Sequence, residues 1–241
     1  MQQLNLITGQ TKEQEAIGFI QEHEPPEGYF LGFSGGKDSG VLYDLTVKAG
    51  VKFEAYYSLM PDPPELIQFV KRFPVKIIRP EKSFWTLVET KFPPNRNARW
   101  CCDYIKEKPS TKIPLTYRLL GIRAEEGPSR AKRGRINQIT RKRINIHPLF
   151  TWLEWEVWDY IESNGLPHCS LYDEGFNRLG CVVCPERTNT KAQELFKQRW
   201  PQYFRLFEKQ VRKWWKAKGQ YRENEKAKSA DEFLNNWYRG K

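Results

Sequence analysis

The chain has 241 residues, 39% of them hydrophobic and 14% aromatic, and a formal charge of +11. That length supports one well-buried core with an appendage or two small domains. No apolar stretch approaches the roughly 18 residues of a membrane-spanning helix, so no such helix is expected.

The charge is uneven. Residues 128–143 hold seven basic residues and no acidic one, and residues 191–241 hold fourteen basic against six acidic, so these segments contribute +7 and +8 and leave −4 for the rest. Such polarity suits a protein that meets a polyanion, although solvated helix faces and a basic nucleotide funnel account for it equally well. The opening Met-Gln-Gln-Leu-Asn lacks the basic-then-apolar order of a secretory signal, so the cytoplasm is the expected compartment, with no membrane partner. Five cysteines, Cys101, Cys102, Cys169, Cys181 and Cys184, argue against a disulfide framework and favour metal or redox chemistry.

Taken in order, Thr11 to Glu22 predicts a helix with Ala16, Ile17, Phe19 and Ile20 as its apolar stripe, ended by Pro25-Pro26-Glu27-Gly28. Tyr29 to Phe33 reads as a strand, Ser34 to Ser39 as a turn, and Val41, Leu42 and Leu45 as one face of a following helix. Lys52 to Leu59 predicts a second strand, and Pro61-Asp62-Pro63-Pro64-Glu65 a loop into a helix ending near Phe73. Val75 to Arg79 forms a third strand, Ser83 caps a helix to about Thr90, and Lys112 to Ile122 is a fourth strand. The basic stretch to Arg143 has no helical period and is expected to be a loop. Ile144 to Phe150 is another strand and Glu154 to Ser163 a helix, while the last fifty residues read as largely helical. Alternating strands and helices predict an α/β fold with a doubly wound parallel sheet of about five strands. The expected division is a helical segment 1–28, a nucleotide-binding domain 29–165, and a cysteine-bearing segment with a basic helical C-terminus, 166–241.

The turn Ser34-Gly35-Gly36-Lys37-Asp38-Ser39 has the chemistry of an anion cradle. Two glycines let backbone N–H groups approach a phosphate, the helix start adds a positive dipole end, and Lys37 and the two serine hydroxyls add donors. A Walker loop does not fit, since Leu31 stands where it needs glycine and Asp38 where it needs Ser or Thr. The six residues instead resemble the PP-loop of the ATP pyrophosphatase and phosphoadenylyl-sulfate (PAPS) reductase superfamily, whose fold is adenine nucleotide alpha hydrolase-like. The resemblance implies nucleotide binding by Ser34, Gly35, Gly36, Lys37, Asp38 and Ser39, with Lys37, Asp38 and Ser39 at the reacting phosphates. It further implies that Arg123, in Gly121-Ile122-Arg123, grips a phosphate or sulfate; a salt bridge to Glu125 or Glu126 is the plainer alternative.

Cys101-Cys102 and the later Cys181-Val182-Val183-Cys184 could complete an iron–sulfur cluster or a zinc site. Adjacent cysteines are awkward ligands for one small ion, which modestly favours a cluster. The pattern is similar to the four-iron, four-sulfur (4Fe-4S) ligand set of adenylyl-sulfate reductases and of the DndC-like proteins of DNA phosphorothioation, which implies Cys101, Cys102, Cys181 and Cys184 as ligands. Cys169 matches no ligand position and reads as a small buried hydrophobe. The reductases of this superfamily carry a further nucleophilic cysteine in a C-terminal motif, whereas this sequence has none after Cys184.

The resulting expectation is an ATP pyrophosphatase that transfers sulfur to nucleic acid, DNA rather than tRNA, using ATP with Mg²⁺ and a donor such as a cysteine desulfurase. A homodimer is compatible with it. The alternatives are a reductase of adenylyl sulfate or phosphoadenylyl sulfate, and a nucleic-acid-binding subunit without catalysis. The tail residues Arg205, Lys209, Arg212, Lys213, Trp214, Trp215, Lys216, Lys218, Tyr221 and Arg222 could meet phosphates and bases, or the tryptophans could pack the helix onto the body.

Overall fold

The computed structural model describes residues 9–187, 190–221 and 227–240; the opening Met-Gln-Gln-Leu-Asn and Arg222 lie outside the described residues. Its strands are β1 (Tyr29–Gly32), β2 (Phe53–Ser58), β3 (Val75–Ile78), β4 (Tyr117–Leu120), β5 (Ile136–Thr140) and β6 (Arg143–Ile146). The helices are α1 (Lys12–Glu22), α2 (Lys37–Lys48), α3 (Pro64–Val70), α4 (Phe84–Thr90), α5 (Lys108–Ser110), α6 (Pro128–Ala131), α7 (Glu154–Ser163), α8 (Thr190–Arg199), α9 (Pro201–Ala217) and α10 (Ala230–Tyr238). A π-helical turn, Cys102–Glu107, runs directly into α5. The chain divides into two compact units, one of residues 1–57, 64–77 and 113–179, the other of residues 58–63, 78–112 and 180–241.

The first unit is the α/β body. Its six-stranded sheet has the order β3-β2-β1-β4-β6-β5, and β1 pairs in parallel with β2 and β4, as β4 does with β6. Tyr29, Phe30 and Leu31 of β1 are all buried, as a central parallel strand covered on both faces requires. From β1 the chain crosses to β2 on one side, while β4 lies on the other, so the sheet reverses its winding between β1 and β4. In open α/β sheets, that reversal opens a crevice at the strands' carboxyl ends. Thr11 caps α1 through a reciprocal box with Gln14, matching the helix start expected from the sequence.

Two expectations change here. The basic stretch is not a loop: it holds the single turn α6 and then β5, which pairs antiparallel with β6 and forms the sheet's edge. Ile136, Gln138, Ile139 and Thr140 of β5 are exposed. A strand with no buried face has no apolar alternation to announce it. The sheet accordingly has six strands, one of them antiparallel.

The second unit is helical and packed by aromatic rings. Phe204, Phe207, Val211 and Trp214 recur at three- and four-residue spacing on α9 and are all buried. The Phe207 ring lies 6.5 Å from Phe84 of α4 and 4.6 Å from Trp237 of α10. Each such ring contributes roughly 1.5–3 kcal/mol by leaving water. Three indole N–H groups donate to one short segment: Trp214 to the Lys91 carbonyl at 3.0 Å, Trp100 to Phe92 at 3.0 Å and Trp237 to Pro94 at 2.6 Å. That segment carries consecutive prolines, which donate no backbone hydrogen bonds, and it leads toward Cys101. Trp214 and Trp215 are therefore core residues and cannot stack on bases, while Tyr221 is 75% exposed. No helix among the described residues is long and apolar enough to cross a membrane.

Candidate functional site

In the α/β body, β1 ends in the turn that opens α2, and Gly36 occupies the helix's N-cap with no side-chain cap bond. The dipole of α2 favours an anion at this helix start, where the Lys37 N–H meets the Tyr172 hydroxyl. Gly35 has φ +75°, and a Cβ there would stand 2.7 Å from both Leu66 and Val70 of α3. Only glycine meets both conditions. Serine hydroxyls knit the turn: Ser39 donates to the Gly36 carbonyl at 2.8 Å and Ser34 donates to the Ser39 oxygen at 3.1 Å.

Lys37 is 7% exposed. Its ammonium pairs with Glu154 at 3.1 Å and donates to the Asn177 carbonyl at 3.4 Å, with the Tyr172 and Trp158 rings 5.6 and 5.9 Å away. Its backbone N–H donates to the Tyr172 hydroxyl at 3.0 Å. Burial drives the Tyr172 phenol well above its ordinary range, opposed by that N–H, so the hydroxyl stays protonated. Glu154, Tyr172 and Asn177 follow Lys37 by more than a hundred positions and form no local motif with it, so no sequence pattern marks them as its neighbours.

Asp38 accepts from Arg123 Nε at 2.5 Å, and the same guanidinium donates to Glu125 at 2.5 Å. Arg123 is 3% exposed, and its backbone N–H donates to Glu126 at 3.1 Å. The arginine that follows β4 is therefore clamped between the PP-loop helix and its own loop. Glu125 also accepts from the Glu154 backbone at 2.7 Å, which places a carboxylate at the start of α7. Gly121 makes the approach tight, since a Cβ there would meet the Asp38 carbonyl at 3.0 Å. The structure thus brings Ser34, Gly35, Gly36, Lys37, Asp38, Ser39 and Arg123 to one end of the sheet, on both sides of its reversal, with Arg123 in an ion pair.

Cys101, Cys102, Cys181 and Cys184 all belong to the second unit, where none is in a disulfide. Cys101 donates its S–H to Cys102, which holds the Cys102 thiol below its ordinary range; burial opposes this and the Lys106 and Arg99 charges assist it. The Cys101 thiol is driven up by that hydrogen bond, by burial, and by the charges of Cys102, Cys181 and Cys184. Burial, and then Asp62, also push Cys181 well up. Lys106 presents an exposed surface, yet desolvation is the largest influence on its ammonium; Cys181, Asp62, Cys102 and Cys184 overcome it and raise the ammonium above its ordinary range. The second cysteine loop is tied down where the Val182 N–H donates to the Pro61 carbonyl at 2.9 Å. Among the described residues, no three His, Cys, Asp or Glu side chains are arranged to hold one metal ion. The donor set, four mutually felt thiols beside a lysine and an arginine, has the chemistry that holds iron–sulfur clusters, which are larger than one ion and need a wider spread of ligands. Cys169 is buried in the other unit, its thiol pushed up by desolvation, and stands apart from this set.

A cavity of about 490 Å³ in the second unit is lined by Leu59, Pro61, Arg79, Trp85, Tyr203 and Leu206, among others. It includes none of the residues that the sequence assigned to nucleotide or cluster binding.

A sheet reversing at β1 and β4, with a Ser-Gly-Gly-Lys-Asp-Ser cradle at the reversal, defines an α/β nucleotide-binding protein of the PP-loop superfamily. The chain belongs to the phosphoadenosine phosphosulfate reductase domain family, whose model matches residues 28–187. It is 32% identical over 225 residues to an uncharacterized protein of Methanocaldococcus jannaschii, covering 84% of this chain and 45% of that one. Over 129 residues it is 35% identical to an adenosine 5'-phosphosulfate reductase of Staphylococcus haemolyticus, covering 50% of this chain and 53% of that one. The chain thus spans about half the length of these relatives. A crystal structure of phosphoadenylyl-sulfate (PAPS) reductase from Candida auris has the same fold at 16% identity, with a TM-score of 0.56 over 73% of this chain and 90% of that one.

Proposed function

We propose that this chain is an adenine-nucleotide-activating enzyme of sulfur transfer, with ATP bound at the PP-loop and a nucleic acid as acceptor. The observation that supports the nucleotide is the glycine turn at the start of α2, where two serine hydroxyls and Lys37 converge. An acceptor oxygen attacks the α-phosphorus of Mg²⁺-bound ATP, the α–β bridging bond breaks, and pyrophosphate departs. Sulfur at the sulfide level, supplied by a partner such as a cysteine desulfurase with its reductant, then attacks the adenylylated centre. AMP leaves with the acceptor's former oxygen. The dipole at the start of α2 stabilises charge on the phosphates, the Lys37 N–H exchanges the Tyr172 hydroxyl for a phosphate oxygen, and the Lys37 ammonium exchanges Glu154 for phosphate.

Cys101, Cys102, Cys181 and Cys184 would hold a 4Fe-4S cluster, with Lys106 and Arg99 offsetting its negative charge. Such a group supplies structural cross-linking or redox chemistry when bound. Protein purified without oxygen should be brown with broad visible absorption, and Cys181→Ser should bleach it; colourless protein with stoichiometric zinc refutes this assignment.

The adenosine 5'-phosphosulfate reductase relative favours a second reading, reduction of a sulfonucleotide. Pyrophosphate release from ATP, measured with and without DNA or tRNA, separates the two. If ATP is untouched while adenylyl sulfate yields sulfite with a thiol donor, the first reading fails and the second stands.

A further inference from the structure

The seven cations of residues 128–143 do not share one environment. Arg130 is committed to Glu126, Arg135 to Glu15 at 2.7 Å, and Arg143 is partly buried at the start of β6. Lys132, Arg133, Arg141 and Lys142 are exposed and have no partner among the described residues. No acidic residue occurs from Gly127 to Leu153, so none within the hairpin can neutralise them.

These four stand at the two ends of β5. Lys132 and Arg133 precede the strand, and Arg141 and Lys142 form the turn into β6. A strand of five residues spans about 17 Å at roughly 3.4 Å per residue, which equals about five base-pair rises along a duplex axis. Between the charges β5 presents Ile136, Gln138, Ile139 and Thr140 to solvent, an uncharged surface along a sheet edge with no further strand beside it among the described residues. A two-stranded ribbon with cations at both ends and a neutral middle fits a phosphodiester backbone, whose charges repeat while its bases offer apolar and polar edges. The acid-free composition and the span match a polyanion better than the scattered charge that merely protects a sheet edge.

We propose that the β5–β6 hairpin is a nucleic-acid-binding arm, in which Lys132, Arg133, Arg141 and Lys142 neutralise phosphates and the exposed face of β5 lies along the strand. This deepens the nucleic-acid part of the proposed function by locating the contact on the hairpin instead of the basic C-terminal helices. It does not depend on the chemistry at the PP-loop.

The test is binding of the full chain to a labelled 20-nucleotide DNA, single-stranded and duplex, by fluorescence anisotropy at salt from 50 to 200 mM. Each neutralised phosphate contributes about 0.9 to the duplex salt slope, so K132Q/R133Q/R141Q/K142Q should flatten the slope by about 3.6. Across that salt range the wild type should then lose about a hundredfold more affinity than the variant. R141Q/K142Q, confined to an exposed turn, guards against misfolding and should flatten the slope by about 1.8. A three-charge variant of the C-terminal face, R205Q/K209Q/K216Q, should leave most of the slope intact. An unchanged slope in the hairpin variants, an equal loss in the C-terminal variant, or binding to anionic vesicles but not DNA overturns the proposal, as does a wild-type dimer that R141Q/K142Q dissociates without altering DNA binding. Pyrophosphate release from ATP without nucleic acid should be unchanged by R141Q/K142Q. If wild-type ATP turnover is absent while the slope behaves as stated, the proposed chemistry fails and the arm stands.

Discussion

The two units build their candidate sites by opposite means. In the α/β body the anion cradle is a contiguous run, Ser34 to Ser39, shaped by backbone conformation and short-range hydroxyl bonds. In the helical unit the cysteine pair follows a proline-rich segment whose carbonyls are held by Trp214 and Trp237, respectively 123 and 143 residues away from their acceptors. The comparison teaches that a loop can carry its chemistry in a motif, whereas a side-chain cluster can owe its position to residues that no motif contains.

The largest expected break is Gly35→Val. A side chain at φ +75° costs about 1–3 kcal/mol, and the 2.7 Å approach of Leu66 and Val70 adds to that. Thermal stabilisation by added ATP should vanish, and the melting temperature of the free protein should fall. In the helical unit, Trp214→Phe keeps the ring but strands the Lys91 carbonyl, costing about 1–3 kcal/mol in chemical denaturation. If the variant is as stable as wild type, the indole bond does not secure that segment.

Arg123→Lys sharpens the comparison, because one ammonium cannot reproduce the fork between Asp38 and Glu125. A loss of about 1.5 kcal/mol is expected, near the value of one charged hydrogen bond, together with weaker nucleotide binding by calorimetry. The smallest effect concerns pH. His147 is fully buried, with Nδ1 2.7 Å from the Gly134 carbonyl, and burial holds its imidazole below the ordinary value. The unfolded chain then takes up the proton first, so this stability is complete above about pH 6.5 and is lost as pH falls below it. The loss is at most about 1.4 kcal/mol per pH unit, measurable by urea unfolding at pH 7.5 and 5.5, and His147→Asn should flatten it.

The PP-loop, the Ser83 cap, the helix beginning near Thr11 and α7 from Glu154 to Ser163 were legible because each is written in consecutive residues. β5 was not, since an edge strand without a buried face carries no alternation and its flanking arginines and lysines resemble loop composition. Nor was the Lys37 environment, because Glu154, Tyr172 and Asn177 reach it only through the tertiary fold. The sequence left Arg123 between a phosphate grip and a salt bridge to Glu125 or Glu126. The guanidinium meets Glu125 and also Asp38, a partner 85 residues earlier that no local pattern suggests.

The indole bonds to residues 91–94 also bear on how the protein matures. Domains form progressively as a chain leaves the ribosome. Cys101 and Cys102 emerge well before Trp214 and Trp237, so the approach to the cysteine pair is secured only after α9 and α10 have been made. Cys181 and Cys184 likewise precede both tryptophans. All four thiols are therefore synthesised before the indole bonds that hold residues 91–94 can form.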